Sequence, residues 1–311
     1  MEQLDIVKPY YILSLDGGGS LGVYTLGVLS EIEQMMNTPL HTTFDLVYGT
    51  STGAIIASMI ALGESVTHTV NQRYMELAPD VMNNWLAGSR TATLRRHAKD
   101  IFGNKHFEDF LINVGIVCTD LQNAKPVVFK KHKTQAKWGH NSFESGFGCS
   151  IADAVVASCA ARPYFKKVCL SSPNSGHLEL IDGGFIANFP TLFALADALR
   201  HLKIPRDHVR VLSIGTGSFP QRFRITSLLD SFAPTLATIV KGSSNTVDIV
   251  RQLFFDDIKM IRINDVCNDK RYRTDFLEAR STRLTEIFQR GRESFREYEA
   301  KLFSFFNEPL I

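Results

Sequence analysis

Apolar residues along the chain are spaced so that they predict short buried strands followed by helices. Residues 10–15, YYILSL, form a short apolar run that ends before glycine-rich sequence, which indicates a buried strand. In residues 21–36 the apolar residues Leu21, Leu26, Leu29, Ile32, Met35 and Met36 give one apolar side, which predicts a helix with that side buried. Residues 44–48 predict a second strand, and residues 52–62 predict a helix that is apolar nearly all round and therefore buried.

The rest of the chain continues this alternation. Further strands are predicted at residues 114–119, 127–130, 178–181, 209–214 and 260–263. Further helices are predicted at residues 151–161, 191–202, 233–255 and 282–306. This order favours an α/β fold, with a mostly parallel central sheet and helices on both faces. We expect a single domain over residues 1–311, in which residues 218–311 form a mainly helical C-terminal part.

Composition narrows the class of protein. The 311 residues are 44% hydrophobic and 21% charged, which is ordinary for a globular protein, and the net charge of +2 gives no reason to expect a nucleic-acid polymer as partner. The five cysteines form no CxxC pair and favour buried free thiols in a reducing compartment. The longest apolar stretch, residues 54–62, is too short to span a bilayer. We expect a cytoplasmic protein without a signal peptide, peripheral at the inner membrane surface when active.

A serine after the second predicted strand has a setting suited to nucleophilic catalysis. Gly49, Ser51 and Gly53 fit G-x-S-x-G between an apolar strand and an apolar helix. This order predicts a nucleophile elbow, a sharp turn that lifts the serine hydroxyl to the N-terminus of a helix. Side chains at the two glycine positions would clash in such a turn. The alternative interpretation is a glycine-rich turn in which the serine is incidental.

A serine hydroxyl needs a base to become a good nucleophile. The nine histidines lie mostly in polar stretches, and we interpret them as solvated. Asp182 instead ends a predicted strand, and Gly183 and Gly184 after it allow a tight turn and the close approach of another group. A partly desolvated carboxylate within hydrogen-bond reach can take the proton of Ser51. The same residues are equally typical of a plain Asp-Gly turn.

The stretch LDGGGSLG, residues 15–22, also has two interpretations. Gly17, Gly19 and Gly22 fit G-x-G-x-x-G, which is typical of dinucleotide binding. A dinucleotide-binding oxidoreductase would carry an acidic residue near the end of its second strand, where this chain has the Ser51 turn. This difference favours the other interpretation, in which the backbone N–H groups of the glycines stabilise an ester oxyanion.

Five blocks of the sequence, in this order, resemble the patatin-like phospholipase family. They are DGGGSLG at 16–22, GTSTG at 49–53, VASCAARPYF at 156–165, DGGFIANFP at 182–190 and VLSIGTG at 211–217. VCTDLQNAKPVVF at 117–129 is also similar to the family, and the resemblance covers residues 10–217. It implies a three-layer α/β/α sandwich that hydrolyses phospholipid or lysophospholipid acyl esters, with no metal and no other cofactor.

The resemblance also implies roles for particular residues. Ser51 would be the acylated nucleophile, and Asp182 would be its general base in a Ser–Asp dyad that needs no histidine. The backbone amides of Gly17, Gly18 and Gly19 would form the oxyanion hole. Loss of one such donor typically lowers the rate by about 10²–10³.

Two positions depart from the family pattern. The family often has Arg or Lys between the third and the last glycine of its first block, where this chain has Ser20 and Leu21. Asn188-Phe189-Pro190 replaces the commoner Asn-Asn-Pro. The missing positive charge keeps open a second function, that of a catalytically weak pseudoenzyme that binds lipid or a nucleotide.

The resemblance implies partners as well. The substrate would be a membrane phospholipid. Some bacterial members are antiphage effectors that cyclic nucleotides switch on, so a cyclic-nucleotide activator is compatible with the resemblance. A homo-oligomer is compatible with it too.

Two further features are open to lipid contact. Basic residues cluster at Arg90, Arg95, Arg96, Lys99 and Lys105, and again at Lys125, Lys130, Lys131, His132, Lys133 and Lys137. A solvated surface is the favoured interpretation, and contact with anionic headgroups is the alternative. The aromatic C-terminal helix favours core packing, although its tail, residues 302–311, is the first candidate for lipid or partner contact.

Overall fold

A computed structural model describes residues 8–131, 143–145, 149–172, 176–220 and 233–310. The described strands are β1 (Tyr10–Leu15), β2 (Leu46–Thr50), β3 (Asn113–Asp120), β4 (Lys125–Lys130), β5 (Phe143–Ser145), β6 (Val168–Ser172), β7 (Gly176–Asp182), β8 (Val209–Ile214) and β9 (Lys259–Ile263). The described helices are α1 (Gly22–Met36), α2 (Thr52–Ala61), α3 (Asn71–Met82), α4 (Ala87–Phe102), α5 (Ile151–Ser158), α6 (Gly184–Ala187), α7 (Thr191–Ala196), α8 (Ala233–Phe254) and α9 (Ser281–Asn307).

All the described strands belong to one mixed sheet in the order β5-β4-β3-β2-β1-β8-β9. The central pairs β3–β2, β2–β1, β1–β8 and β8–β9 are parallel. β4 and β7 both pair with β3 in the antiparallel direction, and β6 pairs with β7. The predicted mostly parallel sheet is therefore confirmed, with antiparallel strands added at one side.

Helices cover both faces of the sheet. Because side chains on successive strand positions point to opposite faces, one strand contributes residues to both cores. In β1, Leu13 and Leu15 belong to the larger core, which contains apolar residues of α1, α2, α5 and α9. Ile12, which immediately precedes Leu13 and points to the opposite face, belongs to the smaller core with residues of α6 and α7. The predicted three-layer α/β/α sandwich is confirmed.

Several element boundaries differ from the predictions. The second strand begins at Leu46 rather than at residue 44, and the helix after residue 150 ends at Ser158 rather than at residue 161. The helix predicted over 191–202 is α7 followed by a π-helical turn at Asp197–His201. The sequence predicts no element over residues 71–102, where the structure has α3 and α4.

The aromatic end of α9 is part of the core, as expected. The ring centroids of Phe305 and Phe306 lie 5.7 and 5.3 Å from that of Tyr11, whose hydroxyl donates a hydrogen bond to the Phe306 carbonyl at 3.1 Å. Phe306 also packs edge-on against Phe44. The tail is thus a poor candidate for lipid contact, because Phe303, 62% exposed, is the single large apolar side chain that its described residues expose.

A buried polar cluster joins β2, β4 and the π-helical turn that follows α7. The Asp197 carboxylate accepts hydrogen bonds from the Tyr48 hydroxyl and the Lys130 ammonium, and one of its oxygens lies 3.1 Å from His201 Nδ1. The side chains of Lys130 and Asp197 are each 1% exposed. The interpretations of Lys130 as a surface residue and of His201 as solvated are therefore wrong. Burial lowers the pKa of Lys130, and the Asp197 charge opposes that effect.

Candidate active site

Strand register brings Ser51 and Asp182 together. β2 pairs with the first part of β3, ending with Thr50 opposite Val117. β7 pairs with the next part of β3, beginning with Asp182 opposite Cys118. The end of β7 therefore pairs with β3 directly beyond the point where β2 ends. As a result Ser51, the residue after Thr50, lies next to Asp182, the last residue of β7.

Ser51 lies in the sharp turn between β2 and α2. Its φ of 53° and ψ of −123° place a non-glycine residue at positive φ, which typically costs about 1–3 kcal/mol and is held only by the surrounding structure. The Ser51 N–H donates to Ser158 Oγ at 2.9 Å, and that hydroxyl in turn donates to the Val117 carbonyl at 2.6 Å. These bonds tie the turn to α5 and β3, so the direction of the Ser51 hydroxyl is fixed.

The Ser51 hydroxyl donates a hydrogen bond to Asp182 Oδ2 at 2.6 Å. The other carboxylate oxygen, Oδ1, accepts from the Gly184 N–H at 2.7 Å. Asp182 is 5% exposed, and burial raises its pKa to about 6 against the effect of both hydrogen bonds. The pair thus consists of an alcohol and a carboxylate with the raised basicity that proton transfer near neutral pH requires.

The glycine loop after β1 runs against Ser51. A Cβ placed on Gly17 would lie 3.1 Å from the Ser51 Cβ. The Gly17 N–H donates to the Asn188 carbonyl at 3.1 Å. The N–H groups of Gly18 and Gly19, in contrast, have no acceptor among the described residues. The expectation that Gly17 is an oxyanion donor therefore disagrees with this structure, which leaves two N–H groups of the three.

The residue that replaces the family's basic residue has a structural role. Ser20 is fully buried, and both its N–H and its hydroxyl donate to the Phe276 carbonyl, at 3.0 and 3.1 Å. The same carbonyl would lie 2.3 Å from a Cβ on Gly19, whose φ is +57°. A segment between β9 and α9 thus holds the glycine loop from outside, and only glycine fits at the closest point.

A positive charge nevertheless lies beside the glycine loop. Arg262, on β9, binds the Asp16 carboxylate through both terminal nitrogens, with Nη1 at 2.8 Å from Oδ1, and its guanidinium carbon lies 4.4 Å from the Phe189 ring centroid. Burial raises the pKa of Asp16, and the Arg262 charge opposes that effect. Asp16 immediately precedes the glycines, so the pair fixes the start of the loop.

Ser51 and Asp182 line a cavity of about 920 Å³. Two groups of lining side chains differ in character. Apolar side chains of α2, α3, α4 and the segment after α5, here called the apolar arm, are Ile55, Leu77, Val81, Met82, Leu94, Tyr164 and Phe165. Polar side chains that follow β8 and β9 or belong to α8, here called the polar arm, are Thr216, Lys241, Ser244, Asn245, Asp248 and Asn264, and the apolar Phe219, Val240 and Val266 line the cavity from the same segments. Ser51 and Asp182 therefore share a cavity with apolar and polar side chains, which can hold a hydrocarbon chain together with a polar group.

Other nucleophiles and bases are less suited to the chemistry. Cys159 lines the cavity, but burial raises the pKa of its thiol well above the usual range, so the thiol stays protonated. Among the described residues that line the cavity there is no histidine. In this geometry the Ser51 hydroxyl is thus hydrogen-bonded to a carboxylate, that of Asp182.

One group of side chains could hold a metal ion, away from the cavity. Ligand atoms of Cys169, His177 and Glu179 on the β6–β7 hairpin all lie within 4.8 Å of one another. Glu179 already pairs with the Lys167 ammonium. Cys169 is exposed, which corrects the expectation of buried thiols for this residue, whereas Cys118, Cys149 and Cys159 are buried.

Some side chains of the basic clusters already have partners within the protein. Arg96 pairs with Asp80 at 2.5 Å, and Lys131 donates to a backbone carbonyl. His132, Lys133 and Lys137 lie outside the described residues. No helix in the described part of the chain is both long and apolar enough to cross a bilayer.

Known proteins that are similar to this chain include phospholipases. A family model described as patatin-like phospholipase matches residues 13–195. The chain is 44% identical over 300 residues to a cUMP-AMP-activated phospholipase of Escherichia coli, which covers 94% of this chain and 93% of that one. It is 28% identical to a cGAMP-activated phospholipase of Pseudomonas aeruginosa, over 72% of this chain and 67% of that one. A mouse calcium-independent phospholipase A2-gamma is 27% identical, over 76% of this chain and 32% of its own length.

The match to the family model covers more than half of the chain, including the glycine loop, the Ser51 turn and Asp182. The second strand ends at the Ser51 turn, without the acidic residue that a dinucleotide-binding oxidoreductase would need there. The chain belongs to the patatin-like phospholipase family and is a hydrolase that acts on phospholipids.

Proposed function

We propose that the protein hydrolyses acyl esters of membrane phospholipids or lysophospholipids through an acyl-serine intermediate on Ser51. The observation that carries this proposal is the 2.6 Å hydrogen bond from the Ser51 hydroxyl to a buried Asp182 carboxylate. In the first step Ser51 Oγ attacks the ester carbonyl carbon while its proton passes to Asp182 Oδ2. Asp182 needs no histidine as intermediary, because it contacts the nucleophile directly.

The negative charge that develops on the carbonyl oxygen requires preorganised donors. The N–H groups of Gly18 and Gly19 supply them in our proposal, since both lie in the cavity and neither has an acceptor among the described residues. The positive end of the α2 dipole lies next to Ser51 and favours the same charge. Collapse of the intermediate breaks the ester C–O bond, and Asp182 returns the proton to the leaving alcohol.

Deacylation repeats the same steps with water as the nucleophile. Asp182 takes a proton from water, the resulting hydroxide attacks the acyl carbon, and the proton returns to Ser51 Oγ as the fatty acid leaves. The two arms of the cavity suit the two parts of the substrate. The apolar arm takes the acyl chain, and the polar arm takes the glycerol and headgroup side of the ester.

We also propose that a cyclic nucleotide activates the enzyme, as the names of the two bacterial relatives state for those proteins. Between the two activators named there, cUMP-AMP is the first to test, because that relative covers nearly the whole chain. A homo-oligomer stays a prediction, and so does peripheral association with the inner membrane surface.

Labelling with a fluorophosphonate probe tests the nucleophile. Wild type should be labelled in the presence of lipid and cUMP-AMP, Ser51→Ala should not, and Cys159→Ala should still be labelled because its thiol is protonated. Release of fatty acid from phospholipid vesicles, measured by mass spectrometry, should likewise be seen with wild type and Cys159→Ala and not with Ser51→Ala. Absence of both label and fatty acid in wild type, with cUMP-AMP and with cGAMP, would support the pseudoenzyme instead.

A further inference from the structure

Two large apolar side chains project into solvent from the connection between α3 and α4. Trp85 is 83% exposed and Leu86 is 71% exposed. Transfer of such side chains out of water is favourable by about 1.5–3 kcal/mol each, so an adjacent exposed pair marks a contact surface better than a single exposed residue does.

This connection borders the apolar arm of the cavity. Met82, which lines that arm, ends α3 immediately before the connection, and Leu94 of α4 lines the same arm. At the start of α4, Thr91 Oγ1 accepts a hydrogen bond from the Lys166 N–H at 2.9 Å. Phe165, the residue before Lys166, lines the same arm. Trp85 and Leu86 therefore stand at the edge of the wall that receives the acyl chain.

The connection is held in this position by hydrogen bonds. The Asn84 side-chain amide donates to the Asp80 carbonyl at 2.8 Å and to Thr93 Oγ1 at 3.2 Å. These bonds join the end of α3 to α4 directly beside Trp85. The two apolar side chains are thus presented to solvent without any rearrangement of the helices.

Two cations, Lys166 and Arg90, lie on or against the first turns of α4, next to the pair along the chain. The exposed Lys166 side chain approaches the start of α4, since its Cε would lie 3.2 Å from a Cβ on Gly88. The Arg90 guanidinium lies over the Tyr164 ring, 5.9 Å from its centroid. Each cation near an anionic bilayer contributes about 1 kcal/mol of attraction, and tryptophan is enriched at the level of lipid headgroups.

We propose that Trp85 and Leu86 enter the surface of an anionic bilayer and bring the apolar arm of the cavity against the lipid. An acyl chain then leaves the bilayer at the place where the apolar wall begins. The proposal rests on the proposed function, because a phospholipid substrate has to be drawn from such a surface. A bilayer explains the apolar pair, the flanking cations and the neighbouring acyl site together.

Trp85 is itself a reporter, because the sequence contains two tryptophans and the other is Trp138. A full-length Ser51→Ala, Trp138→Phe protein has Trp85 alone and cannot degrade the probe. With vesicles of phosphatidylcholine and phosphatidylglycerol, with and without cUMP-AMP, its emission should shift to shorter wavelength. Lipids brominated on the acyl chain near the headgroup should quench it.

A binding comparison isolates the two side chains. In the Ser51→Ala background, Trp85→Ser with Leu86→Ser should weaken co-sedimentation with these vesicles by roughly tenfold or more. Phe303→Ser is the matched control, since Phe303 is 62% exposed but does not line the cavity, and it should bind as the parent does. Binding by the parent should weaken with added salt and in phosphatidylcholine alone.

An unshifted Trp85 emission in the vesicle-bound protein would overturn the proposal, as would equal loss of binding in the Phe303 control. Dimerisation that depends on Trp85 without lipid, measured by light scattering, would also overturn it in favour of a second copy of the chain. Binding is measured without catalysis, so failure of the hydrolase proposal, seen as absence of label and product in wild type, is a separate result.

Discussion

The ionisation of Asp182 is the residue-scale property that sets the pH range of the reaction. Its pKa is raised to about 6 by burial, and only the carboxylate can accept the Ser51 proton. We therefore expect kcat/KM to rise with pH around a midpoint near 6 and to level off above it. Initial rates on a short-chain ester across pH, with Asp182→Asn as the inactive control, check this. A midpoint near 4 would mean that Asp182 is solvated or is not the base.

The same raised pKa affects stability with the opposite trend. Between about pH 4 and pH 6 the unfolded chain loses the Asp182 proton while the folded protein keeps it, so stability falls as pH rises. A shift from 3.8 to about 6 corresponds to about 3 kcal/mol. At pH 8 the free energy of unfolding of Asp182→Asn, measured with urea, should therefore exceed that of wild type by up to that amount. The difference should shrink towards pH 4. Equal stability at both pH values would contradict the shift.

Ser20 connects the glycine loop to the Phe276 carbonyl, and its side chain supplies one of the two hydrogen bonds. Ser20→Ala should cost about 1 kcal/mol and lower kcat more than it changes KM, because the N–H groups of Gly18 and Gly19 lose support. Thr67→Ala, which removes a hydrogen bond to Glu33 away from the cavity, should cost similar stability with unchanged kcat.

The sequence identifies some of these residues and not others, for a physical reason. Ser51 and Asp182 are marked by local chemistry, a strand end followed by the glycines that a tight turn needs. Ser20 and Phe276 are 256 positions apart, and a main-chain carbonyl acceptor leaves no trace in residue type. Tertiary contacts of this kind explain how a chain without the family's usual basic residue can still hold its glycine loop.

Among the elements, the turn from β2 to α2 tolerates the least change. A Cβ on Gly53 would lie 2.3 Å from the Leu15 carbonyl oxygen, so Gly53→Ala has to displace β1 or α2. We expect a loss of about 1–3 kcal/mol together with most of the activity. Gly242→Ala is the opposite case, because a Cβ at that position in α8 meets nothing within 4 Å.

Alanine in a helix interior is favoured over glycine by about 0.5–1 kcal/mol, so Gly242→Ala should be slightly more stable than wild type. Thermal unfolding and label incorporation on the two variants measure both effects. A Gly53→Ala protein with wild-type stability and labelling would mean that the turn is looser than the described geometry.

Helices α3 and α4, which the sequence pattern does not predict, show where a periodic signal is weak. The buried residues of α3 are Tyr74, Leu77, Ala78 and Val81, whose spacing is that of one helix face. The signal was therefore present, but the other face is polar and Pro79 lies inside the helix. The strands were easier to find, since β1 and β8 are buried on both faces and consist mostly of apolar residues.

At the scale of the whole molecule, the prediction of one domain can be tested through α9. Phe305 is fully buried against Tyr11 of β1, so the last helix shares its core with the first strand of the sheet. Phe305→Ala should cost about 3–5 kcal/mol, whereas Phe303→Ala, at an exposed position of the same helix, should cost little.

In a single domain this loss has to appear in one cooperative transition. Urea unfolding of Phe305→Ala, followed by far-ultraviolet circular dichroism and by tryptophan fluorescence, should give coincident curves at a lower midpoint than wild type. Two separated transitions, with only the helical signal moved by the substitution, would mean that residues 218–311 unfold independently. In that case the contact between Ser20 and Phe276 would join two units, and its loss would open the glycine loop without unfolding the sheet.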